Sequence, residues 1–208
     1  MKPLKNRHIC LMTILFLLAI LAERTAYLYF GQWRAQPVML TRFLRLYPVY
    51  NDSGSWLHGR LGIGYVRWVL ILEDVLSLAA ELFLIRYIRA VGSFFGLRCG
   101  VLYMVDCGIA ATAHRFFTRL RGVYVLDYLH WKGRGVFDLP DVYLFLTLAG
   151  LLVWLISMYG RYHPYIKKNT KGMPRIQKWG WELRLSGMFL KAAFVPERRW
   201  EEMFAKWR

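Results

Sequence analysis

Three cysteines occur among the 208 residues, an odd number with no close pair. That excludes a disulfide-stapled secreted scaffold. No His-Glu-x-x-His and no Cys-x-x-Cys is present, so a zinc site has no sequence support and no metal or other cofactor is expected. Gly62-Ile63-Gly64 is no phosphate loop. Lysine is scarce before the C-terminal region: between Lys5 and Lys167 only Lys132 occurs, so a Ser/Lys membrane protease lacks its base. Cys10, Cys99 and Cys107 lie in apolar stretches, where thiolates are disfavoured. His114 and His130 stand isolated and read as structural. Negative charge is short as well, with 13 Asp+Glu against 29 Lys+Arg, for a net charge of +16.

What the chain has in plenty is apolar sequence: 57% of residues are hydrophobic and 17% aromatic. These residues come in blocks too long and uniform for a soluble globule, which points to an integral membrane protein with basic flanks. A spanning helix needs about 20 mostly apolar residues. Four blocks qualify, giving expected helices over about 9–30, 62–88, 91–117 and 141–160. The first follows Lys2, Lys5 and Arg7. Leu21-Ala22 leads into Glu23-Arg24-Thr25 without a small-x-small cleavage site, which favours an uncleaved helix over a signal peptide.

In the second block Arg67, Asp74 and Glu81 recur every seven residues and share a helix face, which must turn to other helices or a wet cavity. In the third, Gly92, Gly96, Gly100 and Gly108 fall on a four-residue grid of the kind that lets helices pack closely in lipid. Asp106, inside that block, must face protein or water. The fourth block, Val142 to Tyr159, carries no charge. The expected fold class is therefore a mainly α membrane protein of four transmembrane helices, with a small extracytoplasmic β-like or loop region. Residues 1–160 form the membrane domain and 161–208 a basic amphipathic tail.

Lys and Arg in the flanks orient such a bundle. The N-terminal stub, the turn with Arg86, Arg89 and Arg98, and the tail fall on one side, so both termini are expected in the cytoplasm. After Tyr159 the tail holds twelve basic and four acidic residues. Trp200, Phe204 and Trp207 at i, i+4 and i+7 mark an interfacial amphipathic helix held by an anionic lipid surface. No nucleic-acid module is recognisable, and the expected assembly is a monomer.

The remaining chemistry is that of carboxylates. Asp127 follows a β-like run, Val123 to Leu126. Asp138 and Asp141 bracket Pro140 at the mouth of the fourth helix, a place helices accept proline. Asp127 and Asp141 therefore fall at one membrane face, opposite the tail. Two carboxylates brought together share a proton; one can activate water while the other protonates a leaving group. The plainer reading leaves Asp138 or Asp141 as a helix N-cap and Asp127 paired with Arg119 or Arg121.

The order of these features resembles signal peptidase II, the lipoprotein signal peptidase family of aspartic proteases of the bacterial inner membrane. The family's Arg…Gly-x-Val-Val-Asp-Phe stretch is similar to Arg119 through Asp127-Tyr128. Its Phe-Asn-x-Ala-Asp motif is similar to Phe137-Asp138-Leu139-Pro140-Asp141, and its Asn-x-Gly-Ala-Ala-Phe to Asn51-Asp52-Ser53-Gly54-Ser55-Trp56. The resemblance covers roughly residues 9–160. Asp138 departs from the family's Asn, Pro140 from a small residue, and Arg115 and Thr118 stand where Asn and Asp are expected.

The resemblance implies an intramembrane endopeptidase that cuts diacylglyceryl-modified prolipoproteins just before the lipidated cysteine. Asp127 and Asp141 would be catalytic, without covalent intermediate or metal. Asn51, Gly54, Asp138 and Arg119 would bind or position substrate, and a loop holding Tyr47, Tyr50 and Trp56 would form a partial cradle at the membrane surface. Two other functions fit the same frame: a relative that binds lipidated peptides without cutting them, and a small membrane transporter subunit, suggested by the charges within the spans.

Overall fold

The computed structural model describes residues 5–33, 37–51, 61–62, 66–97, 100–122, 125–133 and 135–207. Helices dominate: α1 (Lys5–Trp33), α2 (Arg67–Phe95), α3 (Leu102–Leu120), α4 (Leu139–Asn169), α5 (Arg175–Phe194) and the short α6 (Trp200–Ala205). Four strands, β1 (Val38–Met39), β2 (Leu44–Asn51), β3 (Val125–Trp131) and β4 (Gly135–Phe137), make one antiparallel sheet in that spatial order. The chain divides into two compact units, one holding the residues up to Ala79 with Asp106–Leu148, the other Ala80–Val105 with Ala149–Arg208.

In the first unit α1 is Leu-rich and meets no Pro or Gly before Gly31, so nothing interrupts it. Its large apolar side chains face outward: Ile9, Leu17, Leu21 and Leu28 are each exposed. The residues it buries are small, Ala19 and Ala26, seven apart on one face. Ala19 clusters with Cys107, Ala110 and Ala111 of α3 and with Tyr143 of α4. Small side chains permit that close approach, as in lipid-embedded helix pairs.

The glycine grid does not serve this purpose. A single helix over 91–117 is also not what forms: α2 continues to Phe95, and the chain restarts as α3 at Leu102. Gly96 adopts a left-handed φ of +66°, and the N–H of Leu97 bonds the carbonyl of Gly92 at 2.9 Å, a Schellman-type stop. Gly92 and Gly96 therefore end one helix, and only Gly108 lies in the next.

The outer face of α2 in this unit is also apolar, with Trp68, Val69, Leu72, Val75 and Leu76 exposed. The charged face turns inward as expected. Asp74 is buried against Arg119 of α3 at 2.6 Å, and Arg67 donates to the carbonyls of Arg119 (2.7 Å) and Leu120. Asp106 is fully buried and bonds His8 of α1 at 2.5 Å, while His114 of α3 meets Glu23 of α1 at 3.2 Å. Buried ions without partners are costly, so each such helix brings its charge to a neighbour.

In the sheet, β2 pairs with β3 through a register shift between Leu46 and Val49, which contains Pro48. A residue with no N–H suits a bulge. Asp127 lies within β3, opposite Val49, rather than after the strand.

The second unit is built around aromatic packing. Phe94 of α2 meets the rings of Tyr165, Phe189 and Phe204 edge-on, at centroid distances of 5.3, 5.3 and 5.4 Å. Here a tertiary contact overrides the pattern read in the tail. Trp200 and Phe204 are buried in this core and Trp207 packs against it. The Trp200 indole N–H donates to the Ala192 carbonyl at 2.8 Å. Their stripe is an internal face rather than an interfacial one. Helix α4 runs unbroken to Asn169, with Pro164 inside it.

Of the four expected spans, α1 over Asn6–Tyr29 and α4 are long and apolar enough to cross a membrane, by length and composition. The other two carry the charges just described.

Within the second unit, a Cβ built on Gly150 of α4 would lie 2.6 Å from the Cβ and Cγ of Met104. A Cβ cannot rotate away, so Gly150→Ala is expected to destabilise the protein by about 1–3 kcal/mol. Thermal unfolding in detergent, followed by circular dichroism, measures this. An unchanged midpoint would show that the two helices are not in tight contact there.

Candidate functional site

The hairpin between β3 and β4 builds the site. Gly133 takes a left-handed φ of +73° in its turn, and the returning strand sets Phe137 opposite Leu129. One residue further, Asp138 therefore stands beside the Asp127–Tyr128 segment, and α4 starts at once. The Tyr128 hydroxyl accepts the N–H of Leu139 at 3.0 Å and pins the helix start to the sheet.

The first turn of α4 is closed by a reciprocal cap. The Asp141 N–H donates to Asp138 Oδ1 at 2.8 Å, and the Asp138 N–H donates to Asp141 Oδ2 at 3.2 Å. This is the capping-box arrangement with aspartates at both ends. Leu139 and Pro140 occupy the intervening positions, where a missing N–H leaves nothing unsatisfied. The N-terminal dipole of the helix favours negative charge here.

Three carboxyl groups converge as a result: one oxygen each of Asp127, Asp138 and Asp141 lie within 4.8 Å of one another. Asp127 and Asp138 are buried, and Asp141 is partly open to the outside. Burial pushes the Asp138 carboxyl well above the ordinary carboxylate range; the neighbouring Asp141 charge adds to this and Asp127 adds a little more, while Arg115 opposes it. Asp138 Oδ2 has no hydrogen-bond partner among the described residues, which suits a group holding a proton. Burial likewise raises the Tyr128 phenol.

Arg115 of α3 is the residue that sequence reasoning missed. Its guanidinium pairs with Asp141 Oδ1. In the sequence it stands only as a departure from the motif. Its position four residues before Arg119, on the same face of α3, was the available signal. Arg119 is buried, pairs with Asp74 and donates to the Leu70 carbonyl at 3.1 Å, tying α3 to α2 beside the cluster.

Three acidic oxygens at this spacing can also approach a divalent cation, but the Arg115 cation already engages Asp141. Asn51 is placed by its backbone, which pairs with Val125 two residues before Asp127; its side chain lies outside the described residues. Gly54 and Trp56 lie outside them too, as does the side chain of Tyr50. Tyr47 is on β2 and exposed. His130, set aside as structural, accepts from Arg45 Nε at 2.7 Å.

Next to Tyr128, α1 and the sheet line an open apolar cavity of about 460 Å³. Ala22, Ala26, Val38, Leu46 and Tyr128 are among the residues that line it.

No family model matches the chain, and no curated protein matches it in sequence. Two solved structures share its fold, each that of a bacterial membrane enzyme crystallised by the in meso method. The first aligns with a TM-score of 0.53 at 14% identity, over 73% of this chain and 94% of its own. The second aligns with a TM-score of 0.54 at 11% identity, over 83% of this chain and 95% of its own. At such identities the likeness is one of fold.

The Asp138 shift has a sign that can be tested. A carboxyl raised in the folded state takes up a proton on folding, so its contribution is full below the ordinary carboxylate range and is lost as pH rises toward the folded value. Asp138→Asn keeps a good N-cap and removes the titration. Its unfolding midpoint relative to the native chain is expected to climb as pH rises through that window. A difference independent of pH would show that Asp138 is not held protonated.

Proposed function

We propose that this chain is a membrane-embedded aspartic endopeptidase of the signal peptidase II type, which cleaves lipidated prolipoproteins at the membrane face where α4 begins. The observation that carries this reading is the convergence of Asp127, Asp138 and Asp141 within 4.8 Å at the mouth of an apolar helix. The frame would be four spans in the inner membrane with both termini cytoplasmic. In support, the first half of α2 exposes Trp68, Leu72 and Leu76 while it buries Asp74 against Arg119, an arrangement that suits an apolar surrounding.

In this mechanism the scissile amide lies between Asp127 and Asp141. One carboxylate takes a proton from water as the water oxygen attacks the carbonyl carbon. The tetrahedral intermediate collapses as a carboxyl group of the cluster protonates the leaving nitrogen and the C–N bond breaks. Arg115 holds Asp141 in place. Asp138 keeps a proton in the cluster and positions Asp141 through the reciprocal cap. The apolar cavity beside Tyr128 offers room for an acyl chain of the substrate. Neither metal nor other cofactor enters the scheme.

One observation favours the non-cleaving relative. The Arg115 guanidinium occupies an oxygen of Asp141 that the reaction needs, and the family carries no arginine there.

Incubation of the purified protein with a diacylglyceryl lipobox peptide separates the two. Under the protease reading Asp127→Asn and Asp141→Asn each lower cleavage by about a thousandfold or more, with insertion and folding intact. Asp138→Asn, which installs the family residue, retains activity. No cleavage by the native chain, with the peptide still bound, would establish the non-cleaving reading instead.

A further inference from the structure

The second unit carries a feature that peptide cleavage does not use. Helix α5 is apolar on two sides. Leu185, Met188, Phe189 and Ala192 are buried in the core. On the other side Ile176, Trp179, Leu183, Leu190 and Phe194 recur at helical spacing along a single ridge and are 49–86% exposed. An outward apolar ridge of this length calls for a cover. Cations border it: the Arg175 guanidinium lies 5.8 Å from the Trp179 ring centroid, and Arg184 and Lys191 are exposed.

A cavity of about 420 Å³ opens between α4 and this helix. Lys167 and His163 of α4 and Lys178 and Glu182 of α5 stand at it, with Tyr159 at one end and buried Ile166 behind. Its depth follows from helix geometry. The charge-free stretch Val142–Tyr159 rises about 27 Å, close to the thickness of a bilayer's hydrocarbon core. The residues that follow it, His163 and Lys167, therefore reach headgroup level, with Tyr159 where interfacial tyrosines gather.

We propose that α5 lies in the membrane interface on its outward ridge and that the Lys167–Lys178 cavity holds the phosphate of an anionic phospholipid. The two ammonium groups and the Glu182 carboxylate leave one net positive charge for the single negative charge of the phosphodiester, and the carboxylate accepts from a headgroup hydroxyl. Charge favours lipid over a protein partner: beyond Tyr159 the chain has twelve basic residues and four acidic ones, an excess suited to an anionic surface. The ridge differs from the Trp200–Phe204 stripe, which is internal. The assignment stands apart from the protease reading, because none of its residues belongs to the aspartate cluster.

Native mass spectrometry of the full chain in detergent tests the cavity, with phosphatidylglycerol or phosphatidylcholine of matched acyl chains added. Two lysines at a membrane surface predict about thirtyfold stronger retention of phosphatidylglycerol. The double substitution Lys167→Gln with Lys178→Gln brings the ratio close to one. Equal retention of both lipids by the native chain, or a preference unchanged in the double variant, overturns the proposal. Displacement of the lipid by millimolar inorganic phosphate would mark a free-anion site and overturn it as well. For the ridge, brominated phosphatidylglycerol vesicles should quench the native chain more than Trp179→Phe. Equal quenching, or a concentration-dependent dimer abolished by Leu183→Glu, would place something other than lipid on α5.

Discussion

Charge carried on helices with apolar outer faces constrains this protein more than any other feature. Where such a helix buries an ion, that ion must meet a counter-ion or a backbone carbonyl on a neighbour. Asp74 with Arg119, Asp106 with His8, and Glu23 with His114 are the outcome, and they fix which faces of α1, α2 and α3 meet. The alanine contacts around Ala19 then bring the backbones close. Removing one partner leaves a buried charge uncompensated, so the pairs specify the arrangement more than they stabilise it.

The aspartate cluster inherits its geometry from that frame and from a tight hairpin. The sheet holds Asp127, the turn at Gly133 brings the chain back, and α4 begins immediately with its own reciprocal cap. The cap and the carboxyl cluster therefore share the same two side chains. The N-cap role of Asp138 and its raised carboxyl are two consequences of one position, at the start of a helix and out of water. Arg115 gives the cluster a cation without a metal, and α3, already anchored through Arg119, holds that cation at a fixed depth.

The C-terminal region shows how far an apolar pattern can be read. Trp200, Phe204 and Trp207 form a face, and so do Ile176, Trp179, Leu183, Leu190 and Phe194. The first set packs against Phe94 and its neighbours; the second is left outside. Periodicity identifies a face but not what covers it, because that depends on which other elements arrive.

Much of this molecule was legible before any coordinates. Composition and block length pointed to a helical membrane protein, and the seven-residue recurrence of Arg67, Asp74 and Glu81 required an inward face. The position of Asp138 and Asp141 around Pro140 marked the start of a helix. These follow from local rules of transfer energy, periodicity and capping, which need no partner. The break at Gly96, the internal place of Trp200 and Phe204, the pairing of Arg115 with Asp141 and the meeting of Asp127 with Asp138 were decided by tertiary structure alone. Each depends on contacts between residues distant in the chain, or on a backbone choice between a helix and its stop, and periodicity carries no information about either.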